Sequence, residues 1–93
     1  MKAELLIRRR YNISPISFVE MVAWRIPVPL KGSAHSFKYR FAFVLSEICV
    51  LRYDNEAGKG DHRHIGDGEE PYVFVGLDKL VQDFLADVAR YGK

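Results

Sequence analysis

The strictest pattern in this chain of 93 residues is the alternation between Phe37 and Leu45. Every second residue of this segment is aromatic or leucine, while Lys38 and Arg40 hold positions of the opposite parity. Successive side chains of a strand point to opposite faces, so the pattern predicts a strand with one apolar face. Such a face must be covered, and the chain must therefore place another element against it.

Near the C terminus, apolar residues at helical spacing predict the element that packs against this apolar face. Six apolar residues follow the spacing of one helical stripe, with charged residues elsewhere: Leu77, Leu80, Val81, Phe84, Leu85 and Val88. This spacing predicts an amphipathic helix from Leu77 to a point near Gly92. Its apolar stripe requires a partner, and a sheet that contains the Phe37–Leu45 strand is the large apolar surface available.

Shorter alternating runs predict further strands over residues 3–11, 17–26 and 48–53, and a short one over residues 72–75. The polar break at Ser46-Glu47 predicts a hairpin between the third and fourth strands. We therefore expect an α+β fold in which an antiparallel β-meander of four to five strands carries one C-terminal amphipathic helix. Residues 1–93 are expected to form a single domain.

The segment from Arg52 to Tyr72 is rich in charged residues, histidines and glycines and lacks the apolar residues of a core. We interpret it as a polar loop that the scaffold presents to solvent. Its two histidines, His62 and His64, are two positions apart, so in an extended segment both imidazoles point the same way. His35, at the end of an earlier proline- and glycine-containing loop, is expected to be an exposed loop histidine.

Three interpretations of the histidine pair remain open from the residues alone. In the first, the two imidazoles carry out acid–base catalysis of RNA cleavage, with Lys59 or Arg63 stabilising the developing charge. In the second, the histidines bind zinc together with a carboxylate from Asp54, Asp61 or Asp67. In the third, the segment is a polar loop that contains two histidines by composition.

Charge and cysteine content set further expectations. The net charge is only +2, but the basic residues Arg8 to Arg10, Lys38, Arg40, Lys59 and Arg63 would form a phosphate-binding footprint if they shared one face. The single cysteine, Cys49, is interpreted as a small core residue in a reducing compartment. No signal-peptide core or transmembrane run occurs in the sequence, so a cytoplasmic protein without membrane contact is expected.

Several motifs follow one another in a fixed order along almost the whole chain. They are Val19-Glu20-Met21-Val22, Phe37-Lys38-Tyr39-Arg40, Arg52-Tyr53-Asp54-Asn55, Gly58-Lys59-Gly60-Asp61-His62-Arg63-His64, Glu69-Glu70-Pro71-Tyr72 and Asp83-Phe84-Leu85-Ala86-Asp87-Val88. In this order they resemble the TumE-like toxins of type II toxin–antitoxin systems. The resemblance implies a toxin role and a cognate helix-turn-helix antitoxin, and it implies no particular reaction. Some relatives carry a histidine pair immediately before the basic residue, where this chain has Asp61 and His62.

Together, the residues and the resemblance predict a toxin that acts on RNA as a metal-independent ribonuclease without a cofactor. Catalytic roles are predicted for His62, His64, Lys59, Arg63 and Asp54. Substrate contacts are predicted for Arg52, Tyr53, Asn55, Asp61, Lys38 and Arg40. The alternatives are a non-catalytic module that binds an antitoxin or another partner, and a metal-dependent phosphoryl or nucleotidyl chemistry at the same segment. An exposed sheet edge would also allow a homodimer.

Overall fold

The computed structural model describes residues 2–92, and these residues form six strands and one helix. In chain order the elements are β1 (Glu4–Ser14), β2 (Ser17–Arg25), β3 (Phe37–Leu45), β4 (Ile48–Glu56), β5 (Gly60–Ile65), β6 (Gly68–Pro71) and α1 (Leu77–Tyr91). Each strand pairs antiparallel with the next, which gives one meander in the order β1-β2-β3-β4-β5-β6. The predicted α+β architecture is confirmed, with one strand more than expected.

The helix α1 packs on one side of the sheet, which we call the helix face. Phe84 of α1 is fully buried and meets the rings of Phe41 and Tyr53 edge to face, at centroid distances of 5.4 and 5.7 Å. The buried core comes from this side: Val19, Met21, Ala23, Tyr39, Phe41, Phe43, Leu51, Tyr53, Leu80, Phe84 and Val88. The opposite side, which we call the open face, carries residues of the other parity, and most of their side chains are exposed or half-buried.

The turn between β3 and β4 fixes the register of the central strands. Ser46 and Glu47 both have positive φ angles, 51° and 68°. A two-residue turn with this conformation at both positions is a type I′ turn, whose twist matches that of the flanking strands. The hairpin predicted from these residues is confirmed, and its register determines which side chains lie beneath the helix.

The prediction of a polar loop from Arg52 to Tyr72 is wrong. Within this segment β4 continues to Glu56, the chain returns as β5, and the two-residue turn Gly66-Asp67 leads into β6. These residues form strands without apolar alternation because their charged side chains find partners across the sheet, and because β6 lies at a solvent-exposed edge. Neither β5 nor the short strand β6 was therefore predicted.

The predicted strand over residues 72–75 is also wrong, because these residues cross the helix face without joining the sheet. Tyr72 packs edge to face on Tyr53 at 5.0 Å, and Phe74 stacks on His35 at 3.9 Å between centroids. The apolar alternation of residues 72–75 therefore arises because Tyr72 and Phe74 pack on the helix face, and not because the segment pairs as a strand. Cys49 is exposed and not part of the core, since it lies beside a β-bulge at the end of the β3–β4 hairpin, away from the helix.

We expect Gly60→Ala to destabilise the protein more than Gly58→Ala. Both glycines have positive φ angles, +77° and +86°, so both substitutions introduce the strain of a left-handed backbone, about 1–2 kcal/mol. A Cβ at Gly60 would also lie 2.8 Å from the carbonyl oxygen of Gly32, whereas a Cβ at Gly58 meets no atom of the described residues within 4 Å. Urea unfolding should show at least about 1 kcal/mol of additional loss for Gly60→Ala. Equal losses would contradict the close contact between these backbones.

Candidate functional site on the open face

Strand pairing arranges the polar residues of the open face in two rows that cross the sheet. Residues directly opposite each other on paired strands point to the same face, so a row can be followed from strand to strand. Row one consists of Arg10, Glu20, Ala42, Arg52, His64 and Glu69; row two consists of Arg8, Val22, Arg40, Asp54, His62 and Pro71. Both histidines therefore lie on β5, next to the β6 end of rows whose β1 end carries arginines.

His62 has one ring nitrogen held by the backbone and one directed toward a carboxylate. Its Nδ1 lies 3.1 Å from the carbonyl oxygen of Gly60. A carbonyl oxygen only accepts, so Nδ1 carries the proton of this hydrogen bond. In the neutral ring, Nε2 is then an acceptor, and it lies 3.6 Å from Oε1 of Glu69. This arrangement suits a group that removes a proton.

His64 has the same tautomer as His62 in its neutral form, but its Nε2 accepts from an arginine. Nη2 of Arg52 donates to Nε2 of His64 over 3.2 Å, and since a guanidinium only donates, the proton of the neutral ring is on Nδ1. That nitrogen lies 3.6 Å from Oε2 of Glu69, and Nε2 lies 3.6 Å from Oδ1 of Asp54. A carboxylate oxygen thus lies 3.6 Å from each ring nitrogen of His64. The two imidazole centroids are 6.5 Å apart.

Glu69 is the site residue that the sequence did not identify. Its carboxylate approaches both histidines, and Oε1 also lies 3.8 Å from Nζ of Lys59. The signal that locates it is the two-residue turn Gly66-Asp67. Counting outward from this turn pairs Ile65 with Gly68 and His64 with Glu69.

Arg52 and Asp54 lie next to the histidines, as predicted from their proximity in sequence. Nε of Arg52 is 3.1 Å from Oδ2 of Asp54, an ion-pair contact without hydrogen-bond geometry, so Nε has no hydrogen-bond partner among residues 2–92. The Asp54 side chain is buried and reaches His64 from this position. Lys38 and Arg40 share the open face on β3, where both are exposed. Arg40 lies directly opposite Asp54.

The structure does not bring Tyr53, Asn55 or Arg63 to the histidine pair, because their parity directs them to the helix face. The hydroxyl of Tyr53 donates to the carboxylate of Asp87, and Nη1 of Arg63 donates to the same carboxylate over 3.0 Å. Burial, together with the hydrogen bond to Asp87, raises the pKa of Tyr53 above its ordinary value, so the hydroxyl remains a donor.

Asn55 lies on the same face and joins β4 to β3. Its Oδ1 accepts from the backbone nitrogen of Tyr39 over 2.9 Å, and its Nδ2 donates to the carbonyl oxygen of Phe37 over 2.7 Å. Asn55 is 1% exposed, so its amide is unavailable to a ligand in this conformation. These contacts fix the backbone of β3, whereas the sequence predicted that Asn55 fixes the backbone of a loop.

Asp61 also lies on the helix face, where it holds the loop before β3. Ser33 and Tyr39 donate hydroxyl hydrogen bonds to its carboxylate over 2.8 and 2.7 Å, and Nε2 of His35 lies 2.7 Å away. The prediction that His35 is exposed is wrong, since its ring is half-buried and stacks on Phe74. Burial and the Asp61 hydrogen bond raise the pKa of Tyr39 far above its ordinary value.

The zinc-type ligand set considered from the sequence is not assembled around the histidine pair. Asp61 faces the helix, and Asp67 lies in the turn between β5 and β6. Across residues 2–92, no three His, Cys, Asp or Glu side chains are placed to hold one metal ion. The polar partners of the two histidines are instead Arg52, Asp54, Glu69 and the Gly60 backbone.

These features define a small α+β protein whose sheet presents a histidine-bearing polar face. The family model described as "Toxin TumE" matches residues 3–91, so the chain belongs to the TumE toxin family and the resemblance of its motifs is confirmed. Membership supports a toxin role and implies an antitoxin partner. Comparison with curated proteins and with solved structures gives no match. In the described part of the chain, no helix is long and apolar enough to cross a membrane.

We expect Asp61→Ala to act on stability, because this carboxylate is a structural acceptor on the helix face. The substitution leaves the hydroxyls of Tyr39 and Ser33 without their acceptor, which should lower the free energy of unfolding by at least about 2 kcal/mol. Asp67→Ala, in the exposed turn, is the matched control and should change it by less than about 0.5 kcal/mol. Thermal or urea unfolding of both variants measures the difference. An Asp61→Ala variant as stable as Asp67→Ala would show that the Asp61 contacts do not support the fold.

Proposed function

We propose that the protein is an RNA-directed toxin that cleaves RNA without a metal ion, using His62 and His64 as acid and base. The observation that supports this proposal is the pair of imidazoles on the open face, with centroids 6.5 Å apart and the carboxylate of Glu69 3.6 Å from a nitrogen of each ring. The two rings differ at Nε2, which accepts from Arg52 in His64 and faces Glu69 in His62. We assign the base to His62 and the acid to His64, whose ring has a second carboxylate, that of Asp54, 3.6 Å from Nε2.

In the proposed reaction, Nε2 of His62 removes the proton from a ribose 2′-hydroxyl. The resulting oxygen attacks the adjacent phosphorus, and the bond from phosphorus to the 5′-oxygen breaks. For this step His64 carries a second proton, on Nε2, so Nη2 of Arg52 leaves that nitrogen and turns to the phosphate. His64 then gives this proton to the leaving oxygen, while Asp54 and Glu69 hold its ring. Arg52 and Lys59 carry the positive charge that stabilises the phosphate as negative charge develops on it.

The four predicted site residues on the helix face have a supporting role in this proposal. Arg63, through Asp87 and Glu70, anchors β5 from the side opposite the histidines. Tyr53, Asn55 and Asp61 tie the same strands to α1, to β3 and to the loop before β3. They position the catalytic strand and make no contact with RNA.

A non-catalytic binding module is the second candidate function, and one observation favours it. Arg52 donates to His64, and Gly60 accepts from His62, so the histidines already have partners within the chain. A toxin that blocks its target by occupancy would need no further chemistry. In either case we propose that a helix-turn-helix antitoxin is the cognate partner, and that it inhibits by covering the open face.

Substitution of the histidines separates cleavage from occupancy. We expect His62→Ala and His64→Ala each to lower RNA cleavage by about 100-fold or more, since each removes one of the two proton-transfer groups. His35→Gln is the matched control, because the third histidine of the chain lies on the helix face. The measurement follows growth and total RNA after induced expression, with thermal unfolding of each purified variant.

Growth arrest with intact RNA in the wild type would contradict general RNA cleavage and favour occupancy. Cleavage by purified protein should also persist in EDTA. Loss of cleavage in EDTA with recovery on adding a divalent cation would contradict the metal-independent reaction and favour metal-assisted phosphoryl chemistry.

Glu69 and Glu70 provide an adjacent pair with different surroundings. Glu69 contacts both histidines, whereas Glu70 contacts Arg63 on the helix side. Glu69→Gln should lower cleavage by roughly ten- to a hundredfold because the histidines lose the carboxylate that orients them. Glu70→Gln should leave cleavage within about twofold of wild type, because the glutamine oxygen can still accept from Arg63 and Asp87 keeps its own contact with Arg63. Equal effects of the two substitutions in a cleavage assay would rule out a specific role for Glu69.

A further inference from the structure

The β1 end of the two rows forms a second polar site, separate from the histidines. Arg8, Arg10 and Arg40 lie on the rows, and Glu20 is the carboxylate between them. A groove of about 730 Å³ on β1 and β2 is lined by Arg8, Arg9, Arg10, Glu20, Val22 and Trp24. A groove of this composition attracts an anionic ligand.

The cations of this site are only partly neutralised. Glu20 is shared by two arginines, at 3.7 Å from Nη1 of Arg10 and 3.9 Å from Nη1 of Arg40. Arg10 is also held over the ring of Phe18, 4.1 Å from its centroid. Arg8 and Lys38 form no ion pair with any residue between 2 and 92. Glu20 is the carboxylate that lies among these four cations, since Asp54, which lies opposite Arg40, is paired with Arg52. The patch over β1, β2 and β3 therefore has a net positive charge.

Trp24 adds an aromatic surface to this positive patch. It is 36% exposed, lines the groove, and lies opposite Lys38 on β3. Cations that follow a phosphate backbone, combined with an aromatic ring on which bases stack, are the elements with which proteins bind single-stranded nucleic acid. Base-paired RNA presents no free base to such a ring. The combination therefore favours an unpaired strand over a duplex.

We propose that Trp24, Arg8, Arg10 and Arg40 form a binding subsite for single-stranded RNA, in which a base stacks on Trp24 while the arginines hold phosphates. This inference rests on the proposed RNA-directed function and specifies its substrate. β2 and β5 are three strand spacings apart, roughly 15 Å across the sheet. An RNA strand that runs along the rows occupies the subsite and reaches His62 and His64 at the same time.

Trp24 is the single tryptophan of the chain, so intrinsic fluorescence reports on this subsite directly. The experiment uses the His62→Ala, His64→Ala double variant, which leaves RNA intact, and a single-stranded oligoribonucleotide or a blunt duplex of the same sequence. The single strand should quench Trp24 fluorescence in a saturable manner. The duplex should bind at least about fivefold more weakly, because it lacks the stacking contribution.

Charge substitutions test the arginines. In the same background, Arg8→Gln, Arg10→Gln and Arg40→Gln together should raise the Kd for the single strand at least about tenfold. They should also reduce the slope of log affinity against log salt by about 2, the value for three lost phosphate contacts on a single strand. The matched control removes two cations elsewhere, with Lys31→Gln and Arg90→Gln, and should leave the Kd within about threefold of the parent.

The outcomes separate this subsite from the proposed function. Histidine-dependent RNA cleavage together with unquenched Trp24, or with unchanged affinity of the arginine variant, would overturn the subsite alone. Equal quenching by duplex would overturn the preference for a single strand. Failure to bind or cleave any RNA would overturn both proposals. Quenching by an acidic peptide but not by RNA would show that this surface binds a protein partner instead.

Discussion

The register of β5 on β4 determines which side chains of the polar hairpin reach solvent and which reach the helix. Side chains alternate along a strand, so a slip of one residue would turn His62 and His64 toward α1 and expose Asp61 and Arg63. The contacts of the latter two oppose such a slip. Asp61 is held by Ser33, His35 and Tyr39, and Arg63 by carboxylates of α1 and β6.

On the helix face of β5, ion pairs and hydrogen bonds of Asp61 and Arg63 thus make the packing contacts that apolar side chains make on the other strands. A second polar cluster lies on α1 next to these contacts, where Tyr72 and Lys79 donate hydrogen bonds to Asp83 over 2.7 and 2.6 Å. Burial opposes the ionisation of Asp83, but these hydrogen bonds outweigh it and lower its pKa. A small domain with a modest apolar core gains from such networks a defined position for its outer strands. The precision of the open face depends on them.

The sequence predicted the elements whose apolar pattern is strong, and failed where charged pairs replace that pattern. The alternation of Phe37–Leu45 and the stripe of α1 located both elements correctly, because burial against each other requires those periods. The segment Gly60–Ile65 has no such signal, since Asp61 and Arg63 occupy its inward positions. The assumption that these charged side chains face solvent predicted a loop where the structure has the two strands β5 and β6.

The sequence predicted only part of the candidate site, because it gave the spacing of the histidines but not the strand pairing around them. The spacing of His62 and His64 located them on one face, and Arg52 and Asp54 share that face through their parity on β4. Tyr53, Asn55, Asp61 and Arg63 were grouped with them by proximity along a supposed loop, and strand alternation separates them. The role of His35 had no local signal, because its partner Asp61 lies 26 residues away.

The imidazole resonances of the three histidines would show whether the open face presents the histidine pair to RNA, as we propose. Isotope-labelled wild-type protein is titrated with an oligonucleotide that carries 2′-O-methyl groups and so cannot be cleaved. We expect saturable shifts of the His62 and His64 ring nitrogens and no shift for His35, which contacts Asp61 and Phe74 on the helix face. Saturable binding that leaves His62 and His64 unchanged, or that shifts His35 instead, would contradict this proposal.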